Sequence, residues 1–258
     1  MPLHRSGLAP ALIHCCAHDY SRLVRRWRKV ARASGLKMRA FCEAGGYEVF
    51  YLEPGREDER GPSVYLSAGI HGEEPAATES LLAWAEENPA RLKMIRPLIF
   101  PCLNPWGLVN NSRFDREGRD LNRCYHNGDV PQIAAQIRIL RDLRFDFALL
   151  LHEDFDARGY YIYEFGGRKP YLAEEMICAA ARHLPVDMRT AIEGRRSRGG
   201  VIRRRITPDL MPFWPEAFLL HFRHADRTLT VESPSEFHLD ARVAAHVAVI
   251  DGAVRSLI

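Results

Sequence analysis

The sequence has little net charge and no long apolar run. Its 258 residues contain 36 lysines and arginines against 33 aspartates and glutamates, a formal charge of +3 at neutral pH. This balance argues against a chain whose main partner is nucleic acid or another polyanion. Uncharged apolar runs such as residues 147–151 are far shorter than the roughly 18 residues that a membrane span needs. We therefore expect neither a nucleic acid nor a membrane as partner.

The cysteines show no repeating spacing. The chain has six cysteines, and scattered cysteines in a chain of this length do not make a disulfide framework. The first twenty residues contain only a broken apolar run, without the small-residue cleavage site of a secretory signal. Reduced thiols and a cytoplasmic location are the expectation.

The remaining pattern is that of a globular α/β chain, with 47% hydrophobic and 27% charged residues. A helical spacing of apolar residues is followed by two strand-like runs around Gly45 and Gly46, which predicts a helix and a hairpin over about residues 18–53. Short apolar runs then alternate with helical patterns at residues 75–87, 131–144, 171–183 and 239–254. With no linker or internal repeat visible, this order predicts one α/β domain over residues 1–258, with a largely parallel or mixed sheet.

Two strand-like runs end in side chains that bind metals. The run at residues 63–70 leads into His71 and Glu74, just before a predicted helix at Pro75, and the run at residues 147–153 delivers His152. In α/β sheets the carboxyl ends of strands present functional groups at a common edge. Zn²⁺ takes imidazole and carboxylate ligands, and three protein ligands with an open position are typical of a catalytic site. The spacing between His71 and Glu74 is weak evidence alone, since two exposed polar residues at a helix start would look the same.

Further candidate groups lie between and after these residues. A loop with little apolar content contains Arg113, Asn122 and Arg123, side chains suited to carboxylates and oxyanions. Near the C-terminus an alternating strand-like run ends in Glu232. A carboxylate there could accept a proton from a water molecule beside the metal.

Taken in order, these motifs resemble a known family. They are His71-x-x-Glu74, Asn104-Pro105-x-Gly107, Arg113, Asn122-Arg123, His152, and Glu232 within T-x-E-x-P. The chain resembles the zinc metallocarboxypeptidases of the carboxypeptidase A superfamily, including its succinylglutamate desuccinylase and aspartoacylase branch, over about residues 64–255. The resemblance implies a three-layer zinc-peptidase sandwich, phosphorylase/hydrolase-like, with a mixed, twisted sheet of about eight strands.

The resemblance also implies a role for each matching residue. His71, Glu74 and His152 would bind one Zn²⁺ per chain, and Glu232 would act as general base and then acid. Arg113 would stabilise the oxyanion, whereas Asn122 and Arg123 would hold the terminal carboxylate of the substrate. The family's mobile tyrosine has no clear counterpart, because an alternating strand face explains Tyr160, Tyr161 and Tyr163 equally well.

The resemblance leaves the substrate open between two classes. The leading expectation is a metallocarboxypeptidase that acts on small peptides, such as cell-wall-derived γ-D-glutamyl-diaminopimelate peptides. The alternative is a deacylase for N-acyl amino acids. In both cases the substrate carries a free carboxylate for Arg123.

A run of arginines departs from the rest of the sequence. The six residues around Gly199 and Gly200 are Arg195, Arg196, Arg198, Arg203, Arg204 and Arg205. We expect an exposed loop or hairpin, either simply solvated or able to hold an anion. A non-enzymatic binding protein that uses this patch at residues 195–205 is a further alternative, although the presence of all three metal ligands and Glu232 argues for activity.

Overall fold

The computed structural model describes residues 16–55, 61–165 and 169–258. The strands are β1 Leu36–Ala44, β2 Tyr47–Pro54, β3 Ser63–Ser67, β4 Arg96–Phe100, β5 Phe147–Asp154, β6 Tyr161–Phe165, β7 Ala191–Ile192, β8 Arg195–Arg196, β9 Val201–Arg204 and β10 Thr228–Pro234. The α-helices are α1 Tyr20–Ser34, α2 Pro75–Glu87, α3 Pro89–Leu92, α4 Pro105–Asn110, α5 Pro131–Leu140, α6 Ala173–Ala180, α7 Glu216–Leu219 and α8 Leu239–Arg255. Short 3₁₀ turns lie at Leu121–Arg123 and Pro208–Leu210, and a π-helical turn lies at Leu220–His224.

Eight strands form one mixed sheet in the order β1-β2-β4-β3-β5-β10-β6-β9. The four central strands β4, β3, β5 and β10 run parallel to one another, whereas β2 and β6 flank them as antiparallel neighbours. Strands β7 and β8 form a separate small hairpin. The expected α/β sandwich with a mixed sheet of about eight strands is confirmed.

Each face of the sheet is covered by its own hydrophobic core, because successive side chains of a strand point to opposite faces. In β5, Leu149 and Leu151 pack into the core shared with α1, α2, α6 and α8. Leu150 packs into the opposite core, which includes residues of α5 and α7. His152 follows Leu150 at the period of two, so its side chain leaves the sheet on the α5 and α7 side.

The structure reproduces the predicted N-terminal helix and hairpin as α1, β1 and β2, and Gly45 and Gly46 form the turn with φ of 59° and 87°. Strand β4 ends at Phe100, and Asn104 then caps α4 by accepting a hydrogen bond from the Gly107 amide at 2.9 Å. The helix predicted over residues 131–144 ends at Leu140, and the helix predicted over residues 171–183 spans Ala173–Ala180. Within the described ranges no helix is both long and apolar enough to cross a membrane.

Candidate active site

Two parallel strands bring three candidate ligands together. His71 and Glu74 lie in the turn between β3 and α2, and His152 lies near the end of the neighbouring strand β5. One ligand atom from each of the three lies within 4.8 Å of the others, and all three side chains are buried. The structure therefore assembles the set that the sequence suggested, although His71 and His152 are far apart along the chain.

Glu74 occupies the centre of this cluster. One of its carboxylate oxygens lies 2.6 Å from Nδ1 of His71, and the other lies 3.0 Å from Nδ1 of His152. The two imidazole rings are 5.1 Å apart between centroids. Glu73, the adjacent acid, is not part of the cluster.

The electrostatics of the cluster favour a cation. Burial raises the pKa of Glu74, but the two histidines outweigh this and lower it to about 2, so the carboxylate is ionised at neutral pH. Burial lowers the pKa of His71, yet Glu74 and Asp120 raise it by more, to about 9. The pKa of His152 is also raised, since Glu74 outweighs burial. A buried anion between two imidazoles thus attracts positive charge.

The donor set fits zinc. Two imidazole nitrogens and one carboxylate are ligands that Zn²⁺ binds in catalytic sites, with a further position left for water or substrate. Nε2 of His71 faces Asp120 at 3.2 Å, and a carboxylate partner on the second ring nitrogen is the usual companion of a metal-binding histidine. With a metal ion bound at Nδ1, that contact would hold the remaining ring proton on Nε2.

Arg113 lies beside the cluster. Its Nη1 is 3.3 Å from Nδ1 of His71 and 3.9 Å from Oε1 of Glu74. Asp120 holds the guanidinium through contacts of 3.1 and 3.0 Å to Nε and Nη2. Asp120 was not among the residues singled out from the sequence, since nothing in its local sequence distinguishes it from other loop acids.

Glu232 faces the same cavity from strand β10. The register of the parallel pair places it opposite His152, and adjacent strands lie about 4.8 Å apart. Among the residues that the structure describes, its carboxyl has no hydrogen-bond partner. Burial raises the pKa of Glu232 well above its usual range; His152 opposes this shift, and the Glu74 carboxylate adds to it.

Asn122 and Arg123 line the cavity from the 3₁₀ turn. The side-chain oxygen of Asn122 accepts a hydrogen bond of 2.9 Å from the Glu216 amide, which leaves its NH₂ group free to donate. Arg123 is exposed, and its Nη1 donates to the Asn122 carbonyl at 2.8 Å. Both groups can therefore present N–H donors to an anion.

The cavity that joins these groups has a volume of about 590 Å³, within the range of small-molecule sites. Tyr161 and Tyr163 line it, whereas Tyr160 is buried elsewhere and contacts His246 at 2.8 Å. Five of the six residues of the arginine run are exposed, as expected, and Arg204 is half-buried. Arg195 and Arg204 line this cavity, and Arg203 forms ion pairs with Glu164 and Glu174.

Solved structures share this fold. A candidate metallopeptidase from Shewanella amazonensis superimposes with a TM-score of 0.83 at 22% identity, covering 93% of this chain and 94% of that chain. A second, from Shewanella denitrificans, gives a TM-score of 0.82 at 20% identity over 93% and 91% of the two chains. A metallo-carboxypeptidase from Burkholderia cenocepacia gives 0.68 at 16% identity over 92% and 68%. At these identities the similarity shows the fold.

The sequence comparison identifies the family. No protein of curated function matches the chain significantly. Residues 60–189, half of the chain, match the model of the succinylglutamate desuccinylase/aspartoacylase catalytic domain. This segment contains all the candidate site residues except Glu232. The chain therefore belongs to the succinylglutamate desuccinylase/aspartoacylase family.

Proposed function

We propose that this protein is a zinc-dependent hydrolase that cleaves an amide bond next to a terminal carboxylate. The observation that carries the proposal is the convergence of His71, Glu74 and His152 within 4.8 Å in a cavity that Glu232 also lines. These three residues would hold the metal. When bound, Zn²⁺ supplies Lewis-acid chemistry that lowers the pKa of water and polarises a carbonyl group.

The surrounding residues supply the proton transfer and the charge stabilisation. Glu232 takes the proton of the attacking water and returns it to the leaving nitrogen, a role open to a carboxyl group that lines the cavity and has no hydrogen-bond partner among the described residues. Arg113, held by Asp120 beside the cluster, would stabilise the negative charge that develops on the carbonyl oxygen.

Asn122 and Arg123 would bind the carboxylate of the substrate. The fixed orientation of the Asn122 amide and the exposed guanidinium of Arg123 offer adjacent N–H donors, and charge-assisted hydrogen bonds of this kind are strong. Such a pair selects substrates whose scissile amide lies next to a terminal carboxylate.

A metallocarboxypeptidase acting on small peptides, including γ-D-glutamyl-diaminopimelate peptides, remains our leading assignment. The cavity volume of about 590 Å³ supports it, since this space is ample for a short peptide. An N-acyl-amino-acid deacylase is the second candidate, and the match to the succinylglutamate desuccinylase/aspartoacylase domain favours it.

The metal assignment is tested by elemental analysis of protein purified without added metal. We expect about one zinc per chain, and loss of that zinc in Glu74→Gln because the cluster loses its central anion. Glu73→Gln is the matched control, since Glu73 is adjacent in sequence but outside the cluster. Protein without bound zinc, or equal loss in both variants, would refute the assignment.

The catalytic assignment is tested with Glu232→Gln. This variant should retain zinc but lose roughly 10²- to 10⁴-fold in turnover, the usual contribution of a positioned general base. Release of free amino acids should be measured on short peptides, γ-glutamyl-diaminopimelate peptides and N-acyl amino acids, a panel that also separates the two substrate classes. Full activity of the variant would remove Glu232 from the mechanism, and a zinc-loaded protein inert toward the panel would favour a binding protein instead.

A further inference from the structure

The far wall of the cavity carries two arginines to which the proposed reaction gives no role. Arg204 is the last residue of the edge strand β9, and Arg195 is the first residue of β8. Both side chains line the cavity that holds the metal-binding cluster and Glu232. We call Arg195 and Arg204 the distal arginine pair.

A tight hairpin turn places Arg195 in the cavity. Glu193 and Gly194, which join β7 to β8, have φ of 47° and 68°, the positive values that a two-residue type I′ turn requires. Tyr163 donates a hydrogen bond of 2.5 Å to Glu193, and Ile192 is buried in a cluster with Tyr161. The hairpin is therefore fixed to strand β6 at the turn and at the residue just before it.

No carboxylate of the described residues forms an ion pair with either member of the distal arginine pair. Arg189 and Arg203 are held by carboxylates at 2.6 Å, whereas Arg195 and Arg204 have no ion pair among the described residues. The Glu193 carboxylate also lines the cavity, where it accepts a hydrogen bond from the Tyr163 hydroxyl without an ion pair to either arginine. Burial lowers the pKa of Arg204, and the proximity of Arg195 lowers it further. Two cations that face one cavity without a carboxylate in ion-pair contact attract an anion.

The position of the pair in the sheet indicates which end of a substrate would reach it. Strand β9 is separated from β10 by β6, and Arg204 pairs with Phe165 while Glu232 pairs with Tyr161. Arg204 and Glu232 are therefore separated by roughly 10 Å across the sheet and by roughly 13 Å along the strands. Any group bound by the pair is thus several bonds away from the scissile carbonyl.

The proposed carboxylate site lies toward the opposite side of the sheet. Asn122 accepts from the Glu216 amide, and the Glu216 carboxyl contacts Tyr65 and Ser67 of β3. Strands β5, β10 and β6 lie between β3 and β9. His152 is in β5 and Glu232 is in β10. A substrate gripped by Asn122 and Arg123 at its carboxyl end therefore directs its acyl part toward the distal arginine pair.

We infer that Arg195 and Arg204 form a second anion-binding subsite that selects substrates with a carboxylate on the acyl side of the scissile bond. This inference rests on the proposed function, and it restricts the substrate to amides that are anionic at both ends. A dicarboxylic acyl group and a γ-linked glutamyl group both meet this requirement, because each has a carboxylate several bonds from the amide carbonyl.

Matched substrates test the subsite. N-succinyl-L-alanine is compared with N-butyryl-L-alanine, and γ-glutamyl-L-alanine with 4-aminobutyryl-L-alanine; within each pair only the distal carboxylate differs. We expect the zinc-loaded wild type to favour the carboxylate-bearing member of at least one pair by about 10- to 100-fold in kcat/KM, the range for a charge-assisted contact. The pair of compounds that shows the preference identifies whether the distal carboxylate belongs to a dicarboxylic acyl group or to a γ-glutamyl group.

The double variant Arg195→Ala/Arg204→Ala should abolish this preference and leave kcat/KM for the member without the distal carboxylate nearly unchanged. Arg196→Ala/Arg205→Ala is the matched control, because it removes the same charge from exposed neighbours that do not line the cavity. An absence of preference in the wild type, or equal loss in both double variants, would overturn the subsite.

Binding separates this inference from the proposed function. Calorimetric titration of zinc-loaded Glu232→Gln protein with the same compounds requires no turnover. Tighter binding of the carboxylate-bearing member, lost when Arg195 and Arg204 are also replaced, would support the subsite even if the wild type hydrolysed none of the four compounds. Equal binding of both members in each pair would refute the subsite even if hydrolysis occurred.

Discussion

Asp120 links the metal-binding cluster to Arg113. One oxygen of its carboxylate lies 3.2 Å from Nε2 of His71 and also accepts from the Asn122 amide at 3.0 Å. The other oxygen accepts from two nitrogens of the Arg113 guanidinium. His71 and Arg113 lower the pKa of Asp120 strongly, against the opposing effect of burial. A single loop carboxylate thus orients a metal ligand and a cation together.

We predict that Asp120→Asn weakens zinc binding by roughly 10- to 100-fold, as expected when the carboxylate behind a metal-binding histidine is removed. The amide oxygen can still accept from Asn122, so the turn should persist. Competition with a chelator of known affinity measures the change. Asp115→Asn is the control, because Asp115 organises the same loop through Arg119 without touching the cluster. Unchanged zinc affinity in Asp120→Asn would contradict this role.

At the scale of single residues, the sequence predicted those groups that follow strands. His71, His152 and Glu232 stand at strand ends, where parallel strands share an edge, and this is why their convergence could be anticipated. Asp120 could not be anticipated, because its importance comes from contacts across the loop and with His71. The distal arginine pair was visible only as part of a basic run, since strand register decides which arginines face the cavity.

At the scale of elements, the turn before α2 packs closely against α4. The Gly72 amide donates to the Ser112 carbonyl at 2.9 Å, directly before Arg113. A Cβ atom at Gly72 would collide with the backbone of Gly107 and Leu108. This close approach of two backbones fixes Arg113 beside His71, and it explains the glycine at position 72. A Cβ atom at Gly107 would instead collide with the Asn104 side chain and the Ser112 carbonyl oxygen.

Gly72→Ala should therefore separate the turn from α4. We expect a loss of about 1–3 kcal/mol in the free energy of unfolding, typical of overpacking, together with a loss of activity larger than that of Gly46→Ala. Gly46 has φ of 87° and open space around its Cα, so its replacement strains the backbone far from the site. Denaturant unfolding and hydrolysis assays on both variants measure the two effects. Equal activity of the variants would show that the contact does not position the site.

Helices could be predicted from the sequence where the periodic pattern of apolar residues extends over many residues. α2 begins at Pro75 and ends at Glu87 as expected, and α8 follows the predicted helix to within one residue. The short helices α3 and α7 and the π-helical turn were not predicted, because four or five residues carry too little periodicity to indicate a helix. These short pieces nevertheless matter, since α7 carries Glu216.

At the scale of the whole molecule, Glu216 joins the sheet to the helices that cover the site face. Its carboxyl, with 0% exposure, accepts from Tyr65 in β3, from Ser67 at 2.9 Å and from Gln136 in α5 at 3.0 Å. Its amide fixes Asn122. Burial raises the pKa of Glu216, although the hydrogen bonds from Tyr65 and Ser67 oppose the shift. The folded protein therefore holds a proton at Glu216 more tightly than the unfolded chain does.

This shift predicts how global stability depends on pH. Because the pKa is raised in the folded state, the contribution of Glu216 is fully present below the ordinary carboxyl pKa of about 4.3 and is lost as the pH rises through the folded pKa. Glu216→Gln cannot titrate, and its amide can keep the contacts with Tyr65 and Ser67. The free energy of unfolding of the variant, relative to wild type, should therefore increase as the pH rises above 4.3 and then level off.

Urea unfolding from about pH 4 to 8, with both proteins free of zinc so that metal loss does not contribute, measures the difference. Glu236→Gln, an exposed position, serves as the control, and wild-type and Glu216→Gln profiles that stay parallel would show that the buried carboxyl does not couple folding to pH.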